Sequence, residues 1–200
     1  VGIGIRASPF LSVMFLFAFW YFHHYHNPFR HAVNHSPLKF AEGIMVIRRA
    51  EPQEAEILWN IRNQAIRSGC KSCYDPDVIT RWTPDDMPEH FRTMVVENPF
   101  FVAEDESGAV AATGYLDLKT NCIEAVFTLP AACGKGMATQ IIDALKEEAQ
   151  ARGIPRLTLA STPNAHSFYQ KCGFVTQGET QWFSRLADAE LRCFNMAIDV

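Results

Sequence analysis

Ile123-Glu-Ala-Val-Phe-Thr-Leu-Pro130, followed by Ala131-Ala-Cys-Gly134-Lys-Gly136-Met-Ala138 and an amphipathic run to Arg152, spells a strand, a glycine-rich turn and a helix. Such a unit makes an anion cradle. The first amides of a helix lack intrahelical acceptors, the macrodipole adds partial positive charge, and glycines let the backbone come close to a phosphate. The ligand expected there carries a phosphate or a pyrophosphate.

Beyond the turn, Met137, Ile141, Ile142, Leu145 and Ala149 mark one apolar helix face, which Gly153 and Pro155 stop. Arg156 to Ala160 reads as a buried strand, parallel to the one before the turn because a helix crosses between them. Asn164 to Cys172 is a short helix closed by Gly173, Phe174-Val175 begins another strand, and Leu191 to Ile198 forms the last. Upstream, Phe100 to Asp105 and Ala111 to Leu118 make a hairpin about Glu106-Ser-Gly108, and Lys119-Thr-Asn121 turns the chain into Cys122 to Leu129. Val46 to Ala50 is a first strand. Glu51-Pro52 opens a helix carried by Ala55, Ile57, Leu58, Ile61, Ala65 and Ile66, and a shorter helix follows Pro76 from Val78 to Trp82. The expected class is α/β of the α+β kind: a mixed, mostly antiparallel central sheet with flanking helices.

Two hundred residues at 48% hydrophobic and 20% charged content suffice for one core plus an extension. The net charge of −4 disfavours a nucleic-acid partner and mildly favours a cationic substrate. Six cysteines spread along a chain of this size read as reduced thiols in a cytoplasm. Cys70-Lys-Ser-Cys73 has no second pair at zinc spacing, so two incidental thiols and no metal are expected.

Residues 1–44 read as an N-terminal extension outside the working domain, with 45–200 as that domain. The chain opens on Val1, and Met45-Val-Ile-Arg-Arg-Ala has the character of a natural start. The apolar stretch 7–22 is sixteen residues long, short of the roughly 20 that span a bilayer, which leaves a membrane anchor as the alternative. Five of the seven histidines fall in this extension, at irregular spacing.

One common phosphate binder is excluded and a second is disfavoured. A Walker loop needs Ser or Thr after Gly134-Lys135, where Gly136 stands. The dinucleotide fingerprint needs a third glycine where Thr139 stands and a carboxylate about 20 residues on, where Leu157-Thr-Leu-Ala160-Ser161 has none.

From Met45 onward the chain instead resembles the GNAT superfamily of N-acetyltransferases. That family's turn, Gln or Arg, two residues, Gly, one residue, Gly or Ala, is similar to Cys133-Gly134-Lys135-Gly136-Met137-Ala138, with Cys133 replacing Gln or Arg. Its second signature matches at Ala165, Phe168, Tyr169, Gly173 and Phe174. Seven residues before Tyr169, Thr162 stands where the family often has a cofactor-binding asparagine, and Asn164 lies two positions later. Thr162 and the Tyr74 to Trp82 helix resemble an uncharacterised bacterial branch of acetyltransferases.

The resemblance implies the acyl-CoA N-acyltransferase fold and acetyl-CoA as co-substrate. It places the cofactor on Cys133, Gly134, Lys135, Gly136, Met137, Ala138 and Thr139, on the strand residues Val126, Phe127 and Thr128 that pair with the pantetheine arm, and on Thr162 and Asn164. It implies direct transfer to a primary amine of a small molecule or peptide in a ternary complex, with Tyr169 protonating the leaving thiolate. It also admits a homodimer through the late strands. An amine of ordinary basicity is only about 1 part in 10³ neutral at pH 7, so a base is needed. Glu124 is the candidate, with a solvent-facing strand residue as the other reading. The alternative function is a non-catalytic acyl-CoA sensor that kept the cradle and lost turnover.

Overall fold

A computed structural model describes residues 45–200. The extension, its apolar stretch, its histidines and the anchor alternative lie outside the described residues. Seven strands form one sheet in the order β1-β2-β3-β4-β5-β7-β6: β1 Val46–Arg49, β2 Phe100–Glu104, β3 Val110–Asp117, β4 Cys122–Thr128, β5 Arg156–Ser161, β6 Val175–Ser184 and β7 Ala189–Asp199. Every neighbouring pair is antiparallel except β4 with β5. The helices are α1 Ala55–Gly69, α2 Pro76–Trp82, α3 Glu89–Glu97, α4 Met137–Ala151 and α5 His166–Lys171. The expected mixed, mostly antiparallel sheet with flanking helices is what the chain builds.

Local chemistry explains the helix boundaries. Before α1, Glu51 and Glu54 satisfy each other's backbone donors in a capping box, and Pro52 starts the turn between them. Asp75 caps α2 by accepting from the Asp77 amide at 2.8 Å, with Pro76 at the first helical position. α4 ends where Gly153 takes φ 70° and the Ile154 amide returns to the Ala149 carbonyl. Its Ile141, Ile142 and Leu145 are fully buried on the sheet, each contributing up to about 3 kcal/mol.

Two apolar layers cover the sheet. Below α4 lie Phe101, Leu116, Ile123, Leu157, Tyr169 and Met196; on the other face α1 and α3 cover Phe100, Val102 and Tyr115. Three details depart from expectation. Ile57 is 49% exposed, because the buried stripe of α1 runs through Leu58, Ile61, Arg62 and Ile66. α3 was not foreseen, and β6 extends ten residues from its predicted start.

The feature that positions the site is in β4. It pairs with β3 from Cys122 to Thr128 but with β5 only at Cys122↔Thr158, where the Thr158 amide donates to the Asn121 carbonyl. Ala125 sits in the left-handed region at φ 60°, the register with β3 slips between Thr113 and Tyr115, and the resulting bulge bends β4 away from β5. β5 keeps its other edge fully paired with β7. Opposite the bulge, a Cβ on Gly114 would stand 2.7 Å from Cγ2 of Ile141 and 3.1 Å from that of Val126. Gly114→Ala is expected to destabilise the fold by about 1–3 kcal/mol through overpacking, read as a lower urea midpoint with unchanged slope.

Candidate functional site

The space between β4 and β5 opens toward their C-terminal ends, and three groups of residues surround it. The first is the glycine turn. After a 3-10 turn at Pro130–Ala132, Gly134 and Gly136 adopt φ 81° and 82°, conformations that an L side chain strains to hold, and an added Cβ would meet nothing at either position. Gly136 is the N-cap of α4 and offers no side chain to its amides; the first ladder bond runs from Gln140 to Gly136. The amides of Met137, Ala138 and Thr139 are thus open donors at a positive helix end. Cys133, Lys135 and Thr139 are exposed and Ala138 is half-buried, whereas the Met137 side chain is buried in the core. Cys133 Sγ donates to the Leu129 carbonyl, and Lys135 lies within electrostatic reach of Asp105.

The second group is the open edge of β4 with its roof. Val126, Phe127 and Thr128 are half-buried on this edge. Phe127 packs against the cluster that Ile66, Cys70, Ile79, Trp82, Ala187 and Leu191 form, in which α1, α2 and the β6–β7 hairpin meet over the gap. Arg81 Nε donates to the Ala187 carbonyl at 2.8 Å and the Tyr74 hydroxyl to the Arg192 carbonyl at 2.7 Å, fastening α2 to that hairpin. Thr128 Oγ1 is the one buried side-chain polar atom among the described residues with no partner. Across the gap, Thr162 and Asn164 end β5, and Asn164 Oδ1 accepts from the Cys70 thiol at the end of α1. The Gly69 backbone approaches so closely that a Cβ there would lie 3.2 Å from Asn164 Nδ2.

The third group is titratable. Glu124 faces Tyr115 in the β3–β4 register, on the side covered by α1. One side of Glu124 is open to solvent and protein walls the rest. This partial desolvation raises its carboxyl above the ordinary range, a hydrogen bond with Cys122 opposes the shift, and Asp117 adds to it. Tyr169 comes from the opposite layer, 8% exposed among Phe168 and Phe174. Burial holds its phenol well above the ordinary value, aided by the nearby charges of Cys172 and Glu124. Its hydroxyl has no hydrogen-bond partner among the described residues. The gap therefore brings a carboxylate and a phenol within electrostatic reach of each other, one from each face.

His166 serves elsewhere: its Nε2 bonds Thr176 Oγ1 at 2.7 Å and its ring stacks on Phe194. Sequence reading missed Tyr115, Cys70 and Arg62. Only Arg62 left a trace, as a charge four residues from Leu58 and from Ile66 on an otherwise apolar stripe. Among the described residues no helix is long and apolar enough to cross a membrane, and no cluster of His, Cys, Asp and Glu could hold a metal.

An open strand edge beside an uncapped glycine cradle fits the class of acyl-CoA N-acyltransferase folds, and solved structures of N-acetyltransferases share the overall fold. A GCN5-related N-acetyltransferase structure from Rhodopseudomonas palustris superposes with TM-score 0.72 at 22% identity, covering 78% of this chain and 95% of the other. A phosphinothricin acetyltransferase from Sinorhizobium meliloti with acetyl-CoA gives 0.58 at 19%, covering 78% and 88%. A PaiA N-acetyltransferase from Thermoplasma acidophilum with coenzyme A gives 0.59 at 15%, covering 78% and 99%. The family profile for the Acetyltransferase (GNAT) domain matches residues 70–198, and the chain belongs to that family. Glucosamine 6-phosphate N-acetyltransferase 1 of Oryza sativa subsp. japonica is 31% identical over 97 residues, 44% of this chain and 59% of the rice protein.

The raised Glu124 carboxyl has a consequence for stability. The unfolded chain ionises first as pH rises, so the penalty is absent below the unfolded value near 4.3 and complete above the folded one. Glu124→Gln is therefore expected to raise Tm at pH 8 and to lose that gain at pH 4, read by paired thermal melts. Gly136→Ala, which strains the cradle by about 1–2 kcal/mol, is expected to weaken coenzyme A binding in calorimetry.

Proposed function

We propose that residues 45–200 form an N-acetyltransferase domain that moves acetyl from acetyl-CoA to a primary amine by direct transfer. The observation that carries this reading is the single paired position between β4 and β5, which leaves a backbone edge open beside the cradle and between Glu124 and Tyr169. The pyrophosphate fits the amides from Cys133 to Thr139, and the amide-rich pantetheine arm fits the free edge at Val126, Phe127 and Thr128. Thr128 Oγ1, Thr162 and Asn164 supply further polar contacts along its path.

Glu124 accepts the proton of the ammonium, directly or through one water; its raised carboxyl is the stronger base for being partly desolvated. The freed amine attacks the thioester carbon, an N–C bond forms, and the carbonyl electrons move to oxygen. Unpaired β4 amides donate to that oxyanion. As the carbonyl re-forms and the C–S bond breaks, Tyr169 gives its proton to the sulfur, and the surplus proton on the newly acylated nitrogen leaves through solvent, from which Tyr169 is reprotonated. A phenol held above its ordinary value stays protonated at neutral pH and so remains available as a donor.

Several features support an amine acceptor: the net negative charge, the carboxylates Glu124 and Asp117 at one mouth of the gap, and the amino-sugar phosphate named for the rice relative. Titration with acetyl-CoA and thiol release over an amine panel tests the assignment. Tyr169→Phe is expected to lower kcat about 10- to 100-fold while KM for acetyl-CoA stays within about threefold. A variant that keeps its turnover would assign Tyr169 to packing alone.

A further inference from the structure

Arg62 is 9% exposed and has no carboxylate partner among the described residues. Its Nη1 donates to Asn63 Oδ1 at 2.7 Å and to the Trp82 carbonyl at 3.0 Å, and its guanidinium lies over the Trp59 ring, 4.5 Å from the centroid. Nε and Nη2 donate to nothing among the described residues. Burial brings its pKa down to about 10, which still leaves a full positive charge at neutral pH. A buried cation is ordinarily paired, because its lost hydration is otherwise uncompensated. Two other charges at comparable depth meet that rule: Arg48 bonds Glu54 and Glu104, and Glu148 bonds Arg49 and Arg152.

The position of Arg62 is equally informative. Tyr115 is the residue directly opposite Glu124, and its phenol lies within electrostatic reach of both the Glu124 carboxylate and the Arg62 cation. Arg62, Tyr115 and Glu124 thus lie near one another on the α1 face of the sheet, opposite the layer that supplies Tyr169. An acceptor whose amine stands at Glu124 extends past Tyr115 toward a guanidinium with free donors. The Trp59 and Trp82 rings flank the guanidinium, and their low-dielectric surroundings strengthen any charge-assisted bond made by its free, solvent-reaching donors.

We infer that Arg62 is a specificity-determining residue that binds an anionic group on the acceptor, so that the preferred substrates are amines carrying a carboxylate or a phosphate. This inference rests on the acetyltransferase reading. The guanidinium fork donates to two oxygens of either group through Nε and Nη2, while Nη1 holds the fork in place by donating to the Trp82 carbonyl.

Matched acceptors test it in the full chain: ethanolamine against 2-aminoethyl phosphate, and 4-aminobutanamide against 4-aminobutyrate, each read as kcat/KM by thiol release. The anionic member is expected to be preferred by about 10- to 100-fold in at least one pair, and the responding pair distinguishes phosphate from carboxylate. Arg62→Met is expected to bring that ratio near one with KM for acetyl-CoA unchanged within about threefold, and Arg62→Lys to retain part of it. Ratios near one in the wild type overturn the inference. So does a variant that slows both members equally, which would make Arg62 only a clamp on the Trp82 carbonyl. If no amine turns over, the acetyltransferase reading fails, and thermal shift by inorganic phosphate with coenzyme A saturating decides the anion site separately. A shift that Arg62→Met abolishes upholds it; no shift in the wild type refutes it.

Discussion

The separation of β4 from β5 after one paired position is the constraint on which the rest of the structure depends. Exposed strand backbone is costly to leave unpaired in a protein interior, so a chain that opens its central sheet needs something to occupy the opening. Here the bulge at Ala125 bends the strand, a non-glycine residue in the left-handed region that costs about 1–2 kcal/mol. Around it, Phe127 anchors α1, α2 and the C-terminal hairpin into one roof, and the Asn164 side chain meets the end of α1. These contacts hold the opening at a fixed width rather than closing it.

Electrostatics follows from the same opening. A carboxylate on a fully solvated strand would be an ordinary surface acid, and a phenol in the core an inert packing group. The gap places each at a boundary where burial shifts its proton affinity upward, which weakens the fold around Glu124 and keeps Tyr169 protonated. The apolar layers under α1 and α4 carry this cost, with side chains such as Phe101, Leu58, Leu116 and Leu145 at 1% exposure or less.

Much of this was legible before the structure. The strand, turn and helix around Gly134 and Gly136, the parallel placement of β5 and the hairpin of β2 and β3 all follow from local rules, because glycine at positive φ and apolar periodicity are local properties. The class of fold followed from them. α3 was not legible: Glu89-His-Phe-Arg-Thr-Met-Val-Val-Glu97 follows a proline-broken stretch and buries only Phe91 and Val95, too few to set a clear period. The splay itself was not legible from spacing, since it involves a bulge at an alanine and, opposite it, a glycine that the packing of Ile141 and Val126 requires. The face that Glu124 occupies was undecidable for the same reason, and Arg62 and Cys70 reach the gap only through the tertiary placement of α1.

The strand order has a temporal side. β7 lies between β5 and β6, yet β6 precedes it in the chain, so β6 leaves the ribosome before its sole sheet neighbour exists. Until Ala189–Asp199 has been translated, β5 lacks its antiparallel partner, the carbonyl that anchors Tyr74 is absent, and ten residues carrying Trp182 and Phe183 wait unpaired. The nascent polypeptide therefore passes through an interval in which the half of the sheet beyond β4 is incomplete and its apolar surface exposed, and closing it takes the insertion of β7 between β5 and β6.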